Sequence, residues 1–490
     1  MQIHDIPVLS GATRTGHVRE LRDDRFALFE RLNRERGDVA RLLALGSSFV
    51  FVNSPALLHE VLVEKAKHFA KSASMRGALR PVAGNGLFSS EGEPWRRQRK
   101  LMAPLFTATQ VARYASEAVD CAEDATARLA PGEVVDVARL TTHLTMRVAG
   151  KTLFDLDTLD EADELGAALT TLLGWANTAT GSIAFAAQVI VVAGVYDLLE
   201  RFAPSLAALA APYRDAANEP IHWPGESTRR LEEAVRVVDE RVARMIADRR
   251  AARLARRDLL SVLVSARDEE GRAMSDQEVR DEILTLFVAG HETTASALAW
   301  ALYLLGQHPE ALERARAEAS ALRDRPATAA DLPRLGFCLQ VFKEAMRLYP
   351  PIYVMARRCL VDVRVGSFDL PRDTALIISP WTLHRRPEIW PDPERFDPSR
   401  FEPAAEQARD RLAYLPFGAG PRVCIGNHFS LMQGPLALAT LLARLDLELV
   451  TRAPIEPEAH ATLRPKGGVP MRVTARRPRP GKDARAGATP

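Results

Sequence analysis

Phe417-Gly-Ala-Gly-Pro-Arg-Val-Cys-Ile-Gly426 is the stretch on which the reading of this chain turns. A lone cysteine, Cys424, stands among three glycines, with Arg422 two residues before it. Glycine has no Cβ, so backbone N–H groups can approach the sulfur and share its negative charge. That environment suits a thiolate ligating a haem iron. Arg422 is long enough to reach a haem propionate, and Phe417 is placed to pack near the ring. The alternative is a glycine-rich turn around a buried free thiol.

Upstream, Ser275-x-x-Glu278 forms a capping box and opens a helical pattern that runs to about Gln307, before Pro309. Some 32 residues at ~1.5 Å rise would span about 48 Å, enough to cross a domain. Midway along it lies Ala289-Gly290-His291-Glu292-Thr293-Thr294. Thr285, Ala289 and Thr293 share one face at i, i+4 and i+8. Small residues at Ala289 and Gly290 leave room for a diatomic ligand. The Thr293 hydroxyl suits a bound water or dioxygen, and Glu292 suits a proton relay. The competing reading is a helix packed through small residues, with threonine bonded back to its own preceding turn. His291 is expected to make a polar contact within the fold.

A second helix is expected from about Pro333 to Tyr349, with Leu335, Leu339, Phe342 and Met346 in one stripe and Pro350-Pro351 as its stop. Glu344 and Arg347 lie on it at i, i+3. Trp95 and Arg99 share a face at i, i+4 in a third, basic helix, and a solvated basic face is the plain alternative there. Short strand signals occur at Val39–Leu45 and Phe49–Val52 (a hairpin), Val363–Val365, Thr374–Ser379, Leu445–Val450 and Met471–Ala475. Leu165–Tyr196 carries no charge over 32 residues, but four glycines, Asn177, Gln188 and several threonines argue for a buried or lid helix over a lipid-spanning one.

Over 490 residues the chain is 47% hydrophobic and 26% charged with a net charge of +2, an ordinary globular balance. The balance argues against a nucleic-acid binder. Cys121, Cys338, Cys359 and Cys424 are scattered without a C-x-x-C pair, so neither a disulfide framework nor a zinc site is indicated, and a cytoplasmic location is the simplest expectation. The first 30 residues are rich in charge, and no signal peptide or membrane anchor is expected there. A single domain over 1–475 is expected, followed by a disordered tail from 476 to 490.

Phe417, Gly420, Arg422, Cys424 and Gly426 together resemble the cysteine-ligand loop of the cytochrome P-450 superfamily, the haem-thiolate monooxygenases. The long-helix sequence resembles that family's acid–alcohol pair at Glu292 and Thr293, and the likeness extends from about residue 20 to 475. It implies a mainly α, single-domain fold with small β-sheets and a long central helix over haem b (iron protoporphyrin IX). It implies Cys424 as the metal ligand, and Trp95, Arg99, Ala289, Arg357, Phe417, Arg422 and Gly426 as cofactor-binding residues. Glu344, Arg347 and Arg395, the last from Pro393-Glu-Arg-Phe396, are implied to form a buried structural network.

The nearest flavour is that of soluble bacterial fatty-acid hydroxylases. By that likeness Phe88, Thr285, Val288, Ala289, Ile352, Val354 and Thr462 line a substrate pocket. Being mainly apolar, they imply a lipophilic substrate such as a fatty acid, terpenoid, steroid or polyketide-like molecule. The distance from Glu164 to Trp223-Pro224 is longer than is usual in the family, implying an enlarged lid. The chain has no room for flavin or nicotinamide domains, so electrons are expected from a ferredoxin or flavodoxin with its NAD(P)H-dependent reductase. Arg96, Arg97 and Lys100 are candidates for the docking surface of that donor. A peroxide-driven haem-thiolate hydroxylase, a haem-thiolate isomerase or dehydratase, and a non-enzymatic haem sensor are the alternatives. None of them has an evident use for Glu292 and Thr293 together.

Overall fold

A computed structural model of the chain describes residues 1–44, 46–154, 164–181, 183–210, 219–220, 225–251 and 258–477. Leu45, Trp223, Pro224 and the tail beyond Arg477 lie outside the described residues. The architecture is built round the helix Asp276–Gln307. Its capping box forms as expected. Ser275 Oγ accepts the Glu278 N–H at 3.2 Å, and the Glu278 carboxylate accepts the Ser275 N–H at 2.7 Å. Nearly every turn of this central helix is buried, because helices pack on several of its sides: Val137–Ala149, Gly336–Leu348 and Asn427–Arg444. Trp300 of the central helix stacks on Tyr349 at 3.7 Å with the rings 5° apart. Such large apolar side chains, at roughly 1.5–3 kcal/mol each when fully buried, hold the core together.

The helix read as starting near Pro333 begins at Gly336. Pro333 instead falls in a 3₁₀ turn, Ala329–Arg334, whose Thr328 cap is bonded to Asp331. A five-stranded sheet flanks the helices in the spatial order Val39–Ala44, Ser47–Val52, Ala375–Ile378, Met355–Cys359, Phe69–Lys71. The first pair is the expected hairpin, with Val39 opposite Val52. The Ser47–Val52 strand runs parallel to Ala375–Ile378, and the other pairings are antiparallel. Leu445–Leu449 pairs with Pro470–Arg476, and Val363–Val365 forms a small hairpin with Phe368–Leu370. Pro457–Ala459 and Leu463–Pro465 form another hairpin, which the strand signals did not include.

The uncharged segment divides between two helices, Glu164–Gly181 and Ile183–Phe202. The first buries Leu165, Leu169, Leu172 and Leu173 in a cluster shared with Leu231, Val238 and Val242 of the helix Glu226–Ala251. Among the described residues, no helix is long and apolar enough to cross a membrane.

Candidate active site

The loop around Cys424 is clamped from both ends. Cys424 N–H donates to the Phe417 carbonyl at 2.8 Å and Val423 N–H to the Gly420 carbonyl at 3.0 Å. Gly420 has φ +68°, and a Cβ there would fall 1.7 Å from the Leu62 carbonyl oxygen, so only glycine fits. The Gly426 N–H donates to the Cys424 sulfur, favouring the thiolate, while burial pushes the thiol pKa up. Cys424 is nonetheless the one cysteine accessible to solvent; Cys121, Cys338 and Cys359 are buried.

The central helix is uncovered over one short stretch. Ala289 and Gly290 are exposed although the turns before and after them are buried. No atom comes within 4 Å of where a Cβ on Gly290 would lie. Thr293 donates its hydroxyl to the Ala289 carbonyl at 2.8 Å, so the back-bonded geometry is present, and its lone pairs are left to accept. Glu292 is buried and pairs with Arg464. His291 is an internal contact, as expected: its Nδ1 lies 2.8 Å from the Phe287 carbonyl, and burial lowers its pKa to about 4.

Trp95 and Arg99 lie on the helix Gly92–Met102. The Arg422 guanidinium sits 3.7 Å over the Trp95 ring, pairs with Glu91 and donates to the Ser90 carbonyl at 3.1 Å. Burial first, then the neighbouring Arg357, Arg76 and Arg99, lowers its pKa to about 10, with Glu91 opposing. Lys71 belongs to the same cluster. Burial and the arginines bring it down to about 7, while it donates to the Phe88 carbonyl and lies 4.6 Å over the Phe88 ring. Burial lowers the Arg99 pKa, and the nearby Cys424 opposes that shift. Among the described residues, the cations Lys71, Arg99, Arg357 and Arg422 outnumber the carboxylate beside them, Glu91. A dianionic group, such as a porphyrin with two propionates, would neutralise that excess. The donor set therefore fits haem: one accessible thiolate candidate, a cation surplus and an uncovered helix turn. Lys71 and Glu91 were not singled out in the sequence. Glu91 is i−4 from Trp95, a spacing that was available, whereas nothing local marks Lys71.

The residues expected to line a substrate pocket fall in two groups. Gly84–Phe88 packs its backbone on the central helix, where a Cβ on Gly86 would fall 2.2 Å from Thr285 Oγ1. Leu87 N–H donates to Glu282 at 3.0 Å. Burial raises the Glu282 pKa to about 8. For the second group, Leu463 N–H donates to the Pro351 carbonyl at 3.0 Å, which brings Thr462 into the neighbourhood of Ile352 and Val354. The hydroxyls of Thr285 and Thr462 are buried and have no partner among the described residues. Val288 packs on the cluster that also holds Leu165, Leu169, Leu172 and Leu173.

Glu344 and Arg347 form the expected buried pair, at 2.7 Å with both side chains 0% exposed. Arg395 does not join them through its side chain. Its guanidinium is 64% exposed and bonded to Asp397, and only its carbonyl accepts from Arg347, at 3.1 Å. The cation that approaches Glu344 is Arg400, at 3.6 Å. Arg-Phe occurs twice at five-residue spacing, as Arg395-Phe396 and Arg400-Phe401. The 3₁₀ turn Pro398–Phe401 carries the second inward, so the expectation for Arg395 is corrected to Arg400. The supposed docking cations are also compensated. Arg97 binds Asp268 and Glu278, both at 2.7 Å, Arg96 binds Glu93 at 2.6 Å, and Lys100 binds Glu269 at 2.5 Å.

The family model described as cytochrome P450 matches residues 7–470. Cyclooctatin synthase of Streptomyces melanosporofaciens is 35% identical over 433 residues, covering 87% of this chain and 86% of the relative. Pentalenene oxygenase of Streptomyces avermitilis is 32% identical, covering 90% of this chain and 91% of the relative. Cyclooctat-9-en-7-ol 5-monooxygenase of Streptomyces melanosporofaciens is 34% identical over 84% of this chain. From the match along nearly its whole length, joined to a mainly α domain with an accessible cysteine in a glycine-clamped loop, it follows that the chain belongs to the cytochrome P450 family of haem-iron monooxygenases.

Proposed function

We propose that this protein inserts one atom of O2 into a terpenoid-type lipophilic substrate, in the cytoplasm, with haem b ligated by Cys424. Electrons come from a ferredoxin or flavodoxin and its NAD(P)H-dependent reductase. The observation that supports the reading is Cys424, a solvent-accessible cysteine in a glycine-clamped loop, together with a central helix whose turn at Ala289 and Gly290 is uncovered. The terpenoid class is favoured by the relatives named for cyclooctatin and pentalenene. An apolar set of Phe88, Val288, Ile352 and Val354 suits the same class.

Thiolate-ligated haem supplies the activation of O2, and the overall balance is RH + O2 + 2 e⁻ + 2 H⁺ giving ROH + H2O. The chain's own residues supply the rest. The Gly426 N–H shares the charge of the sulfur. Trp95, Arg99, Arg357, Arg422 and Lys71 would hold the propionates, and Phe417 would pack near the ring. Thr293, already donating to Ala289, accepts a hydrogen bond from a water that Glu292 protonates. The apolar walls orient the substrate and keep bulk water out.

The test has two parts. Reduced protein with carbon monoxide should give the thiolate-type spectrum, and Cys424→Ser should abolish it. Terpenoid hydrocarbons and alcohols should shift the iron spin state and be oxidised with surrogate ferredoxin and reductase, whereas Thr293→Ala should keep the spectrum and divert electrons into peroxide. Equal turnover with peroxide alone, or unchanged coupling in Thr293→Ala, overturns the reading.

A further inference from the structure

Glu292 is held from the far end of the chain. Its side chain is 6% exposed and pairs with Arg464, which is 42% exposed. Arg464 lies on the second strand of the hairpin Pro457–Ala459/Leu463–Pro465. The same hairpin is strapped to the central helix at its next two turns. The Leu463 carbonyl accepts from the Ser296 hydroxyl and from Trp300 Nε1, the latter at 3.3 Å. Glu292, Ser296 and Trp300 stand at i, i+4 and i+8 on one face of the helix. The residue next to this anchor, Thr462, is buried with an unpartnered hydroxyl. The neighbouring imidazole of His291 is kept neutral by burial, with the Arg464 charge adding to the effect, so it does not compete for the carboxylate.

We propose that Arg464 is the positioning residue of the proton relay, aiming the Glu292 carboxylate and joining it to the hairpin that carries Thr462 into the substrate pocket. The inference rests on Glu292 being the proton donor proposed above. In each transfer the ion pair parts. Glu292 takes a proton from water on the accessible side of Arg464, gives that proton to water beside Thr293, and re-forms the pair as a carboxylate. The straps at Ser296 and Trp300 keep the guanidinium within reach throughout. Substrate that presses on Thr462 acts on the same hairpin, so occupancy of the pocket and proton supply are mechanically joined.

The experiment compares Arg464→Gln, Arg464→Lys, Glu292→Gln and the double variant Glu292→Gln/Arg464→Gln in the haem-bound protein. All should keep the thiolate-type carbon monoxide spectrum. Arg464→Gln should lose about tenfold in coupled product, less than the hundredfold or more that loss of an acid–base group can cost, with the electrons recovered as peroxide. Arg464→Lys should restore most of the coupling. A readout independent of turnover is the melting temperature: Arg464→Gln should lower it in the parent protein and leave it unmoved in the Glu292→Gln background. Wild-type coupling in Arg464→Gln, beside a defect in Glu292→Gln, overturns the role of Arg464 alone. Wild-type coupling in both Glu292→Gln and Thr293→Ala overturns the relay itself. Should Arg464→Gln fail to hold haem, Arg464→Lys and the melting cycle decide the question.

Discussion

Removing Arg347 should be close to the largest single destabilisation available in this domain. Its guanidinium makes two bonds to Glu344, at 2.7 and 2.8 Å, and donates to the carbonyls of His384 at 2.9 Å, Pro393 at 2.6 Å and Arg395 at 3.1 Å. Both members of the pair are 0% exposed. Breaking such a pair from one side costs about 3–5 kcal/mol, since it strands a buried charge. Each carbonyl left without a donor adds about 1 kcal/mol, less where the site relaxes. A sum above 5 kcal/mol is comparable with the whole stability of a typical domain, about 5–15 kcal/mol. Arg347→Ala should therefore accumulate little folded, haem-bound protein. Arg400→Ala removes a 3.6 Å charge contact to Glu344 and a 2.9 Å bond to the Asp392 carbonyl, for a loss of about 1–3 kcal/mol. Arg395→Ala should leave the unfolding midpoint unchanged, since its guanidinium lies at the surface. Urea unfolding followed by far-ultraviolet circular dichroism and haem absorbance ranks the three. A loss in Arg395→Ala as large as in Arg400→Ala refutes the assignment.

Three further outcomes are expected. Glu282 keeps its proton to about pH 8, whereas an unfolded glutamate releases it near pH 4.3, so the native state binds more protons between these values and stability should fall as pH rises through that window. Glu282→Gln should flatten the dependence of the melting temperature on pH from 5 to 8; an unchanged slope refutes the raised pKa. Burial pushes Cys121 to about 11, Cys359 to about 12 and Cys338 well above the ordinary thiol range, so alkylation of haem-free protein at about pH 8 should label Cys424 alone, and haem should protect it. Arg422→Ala loses its ion pair with Glu91 and its stacking on Trp95, the latter worth ~0.5–2 kcal/mol, so transfer of haem to apomyoglobin should accelerate by about tenfold. An unaltered transfer rate places Arg422 outside the cofactor site.

What could be read from the sequence is what short-range physics determines. The capping box at Ser275 and Glu278, the hairpin at Val39–Val52 and the glycine-clamped Cys424 loop each depend on residues within a few positions of one another, and each forms. Partners supplied from a distance could not be read. Arg97 looks like a solvated docking cation until Asp268 and Glu278, more than 170 residues away, are brought against it. Lys71 acquires meaning only where a strand edge meets the Cys424 loop, and Arg464 only where a C-terminal hairpin crosses the central helix. Arg395 and Arg400 carry the same local pattern, and a turn of 3₁₀ helix, not composition, decides which of them faces Glu344.

The missing side chain at Gly420 has a consequence for how this protein can change. With its backbone wedged against Leu62, the Cys424 loop behaves as a keystone, and almost any replacement there would push the sulfur out of register before altering what it does. Adaptation to new molecules is thereby displaced to elements that bear no such wedge, such as the helix Ile183–Phe202, along whose flank Val191, Val195, Leu198 and Phe202 stand exposed. Directed-evolution libraries should accordingly return hits along this flank and near silence between Phe417 and Gly426.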